Sequence, residues 1–159
     1  MVRKNLTIHY LEYESIDKIE KSDKELLEKA IEACKSSYAP YSKFNVGASV
    51  RMSNGEIVSA SNQENAAYPS GLCAERVTAF YASAKYPDEC ILEIAIVASV
   101  EGKLLPEPTY PCGACRQVLA EYENKGKGKI KVILGSAGKI EVFSDISSLM
   151  PFIFNNLPK

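Results

Sequence analysis

The chain has 159 residues, of which 46% are hydrophobic and 25% charged, and a formal net charge of −1. That length suits one domain able to bury roughly two thirds of its surface, and the composition excludes disordered, collagen-like and coiled-coil classes. A net charge so close to zero gives no general attraction to nucleic acid or to an anionic membrane; a small, nearly uncharged ligand is compatible with it. The opening residues contain Glu12, Glu14 and Asp17 and no leader-like apolar run. The most apolar stretch, 91–100, is too short to cross a bilayer and is interrupted by Glu93. The expected location is therefore the cytoplasm. Thiols stay reduced there, so the five cysteines are read by their spacing and not as a disulfide framework.

Residues 1–21 are weakly patterned and read as an N-terminal arm, extended around Leu6, Ile8 and Tyr10; residues 22–159 read as a single domain. Ser22-Asp-Lys-Glu25 has the form of a capping box, in which serine and glutamate satisfy each other's amide donors. The helix it starts carries Leu27, Ala30, Ile31 and Cys34 on one face, which makes Cys34 a buried structural thiol. After Ala39-Pro40-Tyr41, the segment from Phe44 to Val50 alternates as a strand does. Asn54-Gly55 is a strong hairpin signal, and Glu56 to Ser61 forms the returning strand. A helix is expected from Cys73 to Lys85, with Cys73, Val77, Phe80 and Ala84 sharing a face. Ile91–Val100 reads as a central strand covered on both sides.

A further helix follows Pro111, from Cys112 to Asn124. Lys129–Leu134 and Lys139–Phe143 are strands joined by Gly135-Ser-Ala-Gly138. A parallel crossover needs a dozen residues or more, so this last pair must be antiparallel. A short helix ending near Pro151 completes the tail. The order implies a three-layer α/β/α sandwich on a mixed, five-stranded sheet.

Cys112-Gly-Ala-Cys115 sets two thiols one turn apart at a helix start, where the dipole favours thiolates. Zinc binding, a redox pair and coincidence all remain open for that motif alone. A thioredoxin-like pair would show an aromatic before the first cysteine and a proline between the two, and neither is present. A structural zinc site would usually have four ligands. Cys73-Ala-Glu75 shifts the balance, because Cys73 stands at another helix start. Two helix mouths on one sheet face can bring three thiols together and leave a fourth metal position open, which is the catalytic arrangement. Glu75 by itself reads as an ordinary first-turn acid; beside three thiols it reads as a proton carrier. A cysteine two residues before a glutamate, followed later by Pro-Cys-x-x-Cys, is the zinc-deaminase signature. His9, the sole histidine, lies far from this motif and reads as a surface or interface residue and not as a ligand.

In these motifs the chain resembles the small, homotetrameric cytidine deaminases. The matching blocks are Tyr38-Ala-Pro-Tyr-Ser-Lys-Phe-Asn-Val-Gly-Ala48, Asn62-Gln-Glu-Asn-Ala-Ala-Tyr68, Cys73-Ala-Glu-Arg76 and Pro111-Cys-Gly-Ala-Cys-Arg-Gln117. The resemblance implies a cytidine deaminase-like fold and one Zn2+ per subunit held by Cys73, Cys112 and Cys115. It gives Glu75 the general acid/base role and implies that Arg76 hydrogen-bonds the thiolates, relieving the charge of three thiolates on one zinc ion. It further implies that Asn62 and Glu64 hold the ribose and Phe44 packs on the pyrimidine. The same resemblance implies that Ala74 contacts the substrate and that Phe154 reaches a neighbouring subunit's site. Tyr110 departs from the small residue common before Pro-Cys in the family.

The implied reaction is hydrolytic deamination of cytidine and deoxycytidine in pyrimidine salvage, by a nucleoside-binding homotetramer that takes no nucleic acid and no membrane. Two alternatives stand beside it. A blasticidin-type aminonucleoside deaminase shares the zinc motifs, but has no need of the Asn62-x-Glu64 ribose block. A non-catalytic zinc module would need Cys34 or Cys90 as a fourth ligand.

Overall fold

The computed structural model describes residues 1–155. In chain order its elements are β1 (Leu11–Tyr13), α1 (Lys21–Cys34), β2 (Phe44–Met52), β3 (Ile57–Ser61), α2 (Ala74–Lys85), β4 (Ile91–Val100), β5 (Lys103–Leu104), α3 (Gly113–Gly126), β6 (Lys131–Gly135) and β7 (Ile140–Phe143). The strands form one sheet in the order β1-β7-β6-β4-β2-β3, with β5 beside β4. Among the described strands only β4 and β6, joined through α3, run parallel. The β6–β7 pair is antiparallel, as its short connection requires.

Alternation along β4 decides which helix each side chain meets. Ile94 and Ile96 face α2 and α3 in a core with Ala79, Ala82, Leu119 and Ala120. Ala95 and Val97 face α1, against Leu26, Leu27, Ala30 and Cys34. The result is the expected three-layer α/β/α sandwich, with α2 and α3 side by side on one face. Cys34 is buried, its sulfur 3.1 Å from Ser99 Oγ. A Cβ on Gly47 of β2 would lie 2.0 Å from the Ala30 carbonyl oxygen, so α1 approaches the sheet across a residue that has to be glycine. Gly55 takes φ 86° in the β2–β3 turn, a conformation glycine adopts without steric cost.

Four expectations are corrected. The sheet has seven strands, not five: β1 comes from within residues 1–21 and β5 is only two residues long. The capping box does not form, because α1 starts at Lys21 with Glu20 at its N-cap and no side-chain cap. Glu25 turns instead to Arg51, 3.3 Å away, and that guanidinium also donates to the Ser22 carbonyl. The buried face of α2 is Ala74, Glu75, Thr78, Ala79 and Ala82, whereas Phe80 is 42% exposed. Finally, the tail holds a 3-10 turn at Ile146–Ser148, capped by the Asp145 carboxylate.

Candidate metal centre

Small residues bring α2 against the sheet. Ala74, Ala79 and Ala82 are fully buried, and the Thr78 hydroxyl, 2.7 Å from the Ala74 carbonyl, is also 3.3 Å from that of Ala48 on β2. This seats the N-terminus of α2 beside that of α3. Cys73 is the N-cap of one helix and Cys112 the N-cap of the other, both in extended backbone. Cys115 follows one turn into α3 and is buried.

The three sulfurs converge. Cys73 Sγ lies 3.9 Å from Cys112 Sγ, which lies 3.5 Å from Cys115 Sγ, and all three are within 4.8 Å of one another. Zinc–sulfur bonds of ~2.3 Å in tetrahedral geometry place sulfurs about 3.8 Å apart, close to the two spacings of this soft donor set. Cys34 and Cys90 stay outside the cluster, which leaves three protein ligands among the described residues and removes the support for a four-thiol structural site. The Cys73 thiol is held down to about 5, chiefly by the Cys115 thiol donating to it, against burial and with help from Arg76. Cys115 is pushed up by the same contact and by burial. A bound dication favours the thiolate form of all three. Arg76 adds a second sign of fit: its buried Nε has no hydrogen-bond partner among the described residues, and the Cys73 and Cys115 sulfurs act on the same guanidinium.

Glu75 is 4% exposed. Burial raises its pKa, and the neighbouring Cys73 charge adds to that. A carboxyl kept closer to neutral pH in this way is suited to passing a proton in both directions.

Beside the cluster opens a cavity of about 500 Å³, lined by Tyr41, Asn62, Glu64, Tyr68, Cys73 and Arg76 among others. Its floor is a hydrogen-bond network. Asn62 Oδ1 accepts from Val46 N–H at 2.8 Å and from the Ser37 hydroxyl at 2.6 Å, while its Nδ2 donates to the Phe44 carbonyl at 3.0 Å. The Glu64 carboxylate accepts from the Ser42 hydroxyl and from the amides of Tyr41 (2.9 Å) and Ser42 (3.2 Å). The Ser42 hydroxyl is the main cause holding Glu64 below its ordinary carboxylate range.

The expected site residues divide accordingly. Cys73, Cys112, Cys115, Glu75 and Arg76 come together, and Asn62 and Glu64 line the adjoining cavity. Phe44 is half-buried at the start of β2, and Ala74 is buried under the α2 N-terminus; neither lines the cavity. Phe154 lies 68% exposed beside α3, where its amide and carbonyl are both held by the Gln117 side chain, at 3.0 and 2.8 Å. Within this chain it reaches no part of the cavity. Sequence reasoning missed Tyr41, Ser42 and Tyr68. Tyr41 and Tyr68 meet edge to face with ring centroids 6.3 Å apart. Both lie inside the matching blocks, but a pairing across 27 positions leaves no local periodic signal.

Residues 20–127 match the family described as the cytidine and deoxycytidylate deaminase zinc-binding region, which sets the class of the protein as a zinc-binding deaminase. Among sequences, the cytidine deaminase of Halalkalibacterium halodurans is 38% identical over 81% of this chain and 91% of its own length. That of Sporosarcina psychrophila is 39% identical over 82% and 89%. Among solved structures, the cytidine deaminase of Burkholderia pseudomallei superposes with a TM-score of 0.69 at 36% identity, covering 82% of this chain and 97% of that one. The Mycobacterium tuberculosis enzyme gives 0.64 at 30% identity, over 83% and 96%. This chain belongs to the cytidine deaminase family.

Proposed function

We propose that the chain hydrolyses cytidine and deoxycytidine to the uridine nucleosides and ammonia, in pyrimidine salvage in the cytoplasm. The carrying observation is the meeting of three thiols at two helix mouths beside a buried carboxyl and an open cavity. Cys73, Cys112 and Cys115 hold zinc. When bound, the metal supplies the Lewis acidity that activates water for attack on C4 of the pyrimidine.

Glu75 takes a proton from the attacking water and delivers it to N3, which makes C4 electrophilic. It then carries the proton of the new C4 hydroxyl to the amino group, and ammonia leaves as the C4 carbonyl forms. Arg76 donates to the thiolates and draws charge from them. Asn62 and Glu64 suit a sugar hydroxyl by their unused capacity. With Oδ1 doubly occupied, Asn62 keeps one amide hydrogen to donate; the Glu64 carboxylate keeps a lone-pair site to accept. A hydroxyl between them satisfies both. Family resemblance assigns Phe44 and Ala74 to substrate contact, although neither lines the cavity of the single chain, and Phe154 to a neighbouring subunit's site.

The net charge of −1 favours a nucleoside over a nucleic acid as substrate. All five cysteines are free, which agrees with a reducing compartment. None of the described helices is long and apolar enough to cross a membrane. The assembly we infer is a homotetramer, supported by aromatic side chains left outside the core: Tyr41, Tyr68, Phe80, Tyr81 and Phe154.

The test is the loss of ultraviolet absorbance when zinc-replete protein meets cytidine, deoxycytidine and a blasticidin-type nucleoside. Conversion of the two natural nucleosides supports the proposal. Turnover of the aminonucleoside alone, or of nothing by protein carrying zinc, overturns it.

A further inference from the structure

The three thiols are not equally secured. Cys115 is buried within α3, and Cys73 caps a helix packed on β2. Cys112 is exposed and stands where α3 meets the loop from 105 to 111. Arg116 of α3 donates to the Pro111 carbonyl at 2.7 Å, and the rest of the loop is fastened to the β6–β7 connection and to β7. Ala137 N–H donates to the Leu105 carbonyl at 2.8 Å, and the Ser136 hydroxyl to the Pro106 carbonyl at 3.0 Å. Glu107 pairs with Lys139 at 3.2 Å. Tyr110, two residues before Cys112, donates its hydroxyl to Glu141 of β7, a carboxylate only 2% exposed.

The N-terminal arm closes the same assembly from the opposite side. β1 pairs with β7 in the register Leu11↔Val142, Glu12↔Glu141 and Tyr13↔Ile140. Two glutamates directly opposite one another would repel, but Lys139 Nζ lies 3.0 Å from Glu12 and 3.2 Å from Glu141. One ammonium therefore joins the arm, the strand and, through Glu107, the loop. Next to it the Phe143 ring carries Tyr10 stacked on its face, centroids 5.0 Å apart at 19°, and Tyr110 against its edge at 6.4 Å and 69°. Residues 1–19 precede the family-matched region, and Tyr110 lies within it; arm and loop meet on one ring.

We propose that Tyr10, Phe143 and Tyr110, with the Lys139 carboxylate cluster, form a brace through which the N-terminal arm sets the position of the Cys112 loop. Tyr110 is then a positioning residue for the metal centre, and loss of the brace loosens Cys112 and speeds zinc release. The inference rests on the reading of the three thiols as zinc ligands.

The experiment measures zinc release from the full-length protein into excess chromogenic chelator under native conditions, after the metal content of the parent has been determined. Tyr110→Phe removes the hydrogen bond to Glu141, and Tyr10→Ala removes the stack. Each is expected to release zinc roughly fivefold faster, the scale of one lost contact. Tyr10→Phe keeps the stack and should restore the parent rate. In cobalt-substituted protein the thiolate-to-metal absorption bands should move in Tyr110→Phe and Tyr10→Ala and stay in place in Tyr10→Phe. Glu93→Gln, which weakens the sheet away from the brace, is the comparison for a purely structural effect and should leave the release rate unchanged.

Release within twofold of the parent in both brace variants overturns the proposal, as does equal acceleration in Glu93→Gln. A parent that holds no zinc overturns the metal reading and the brace together. A zinc-loaded parent with indifferent variants overturns the brace alone.

Discussion

Glu75 sits in the first turn of α2, yet it is buried, which an ordinary dipole-stabilising acid would not be. Glu75→Gln keeps the shape and removes the transferable proton. Turnover should fall by about 10²–10⁴-fold while metal analysis still finds one zinc per chain. Near-normal turnover by the variant would remove the proton-carrying role. At this scale the metal centre was legible because helix starts are written locally: the residues at 73–75 and 111–115 mark two N-termini, and cysteine at both leaves few alternatives. The cavity was legible only in part. Asn62 and Glu64 stood out through family resemblance, but the Ser37, Tyr41 and Ser42 groups that orient them are distant in sequence.

Another carboxylate acts on stability. Glu93, near the start of β4, is flanked by Arg51 at 2.9 Å and Lys131 at 2.9 Å. Burial works to raise its pKa, but the hydrogen bonds from Lys131 and Arg51 overcome that and hold it below the usual range. A folded-state pKa depressed below the unfolded value contributes stability that is present above the unfolded pKa of ~4.3 and is lost as pH falls through the folded one. Thermal unfolding followed from pH 6 downward should show Tm falling below about pH 4.3, and Glu93→Gln should flatten that fall. An unchanged slope in the variant would place the acid sensitivity elsewhere.

Among the elements, the α1–β2 contact is the least tolerant. With no space for a Cβ at Gly47, Gly47→Ala must push α1 away from β2, at a cost of about 3 kcal/mol; urea unfolding measures it directly. A loss below 1 kcal/mol would mean that the helix shifts freely. The α2 helix shows why its face was misread from sequence. A hydrophobicity pattern follows the bulky side chains, here Val77 and Phe80, whereas close packing on the sheet selects alanine and threonine. The bulky face is left for other surfaces, and Phe80→Glu should lower the assembled mass in sedimentation if that face is an interface between subunits. β1 was not legible because three residues carry no period, and its partner, β7, lies near the other end of the chain.

For the whole molecule, the sulfur cluster is a clip between segments 39 positions apart. Closing a loop of that length restricts the unfolded chain by about 4 kcal/mol on a chain-entropy basis. Zinc bound only by the folded form therefore adds to stability as well as to chemistry. Removing it with a strong chelator should lower Tm by roughly 10 °C, reversibly on adding zinc back. An identical Tm with and without metal would show that the helices hold the three thiols together unaided.

β1 has a consequence at the boundary of the sheet. An uncovered β7, Ile-Glu-Val-Phe, would offer a row of unpaired amides and carbonyls on an apolar strand, a template for joining another chain edge to edge. β1 occupies that row and is itself too short, with Glu12 at its centre, to serve as a template in turn. The same three residues that steady the sheet also guard the protein against aggregation.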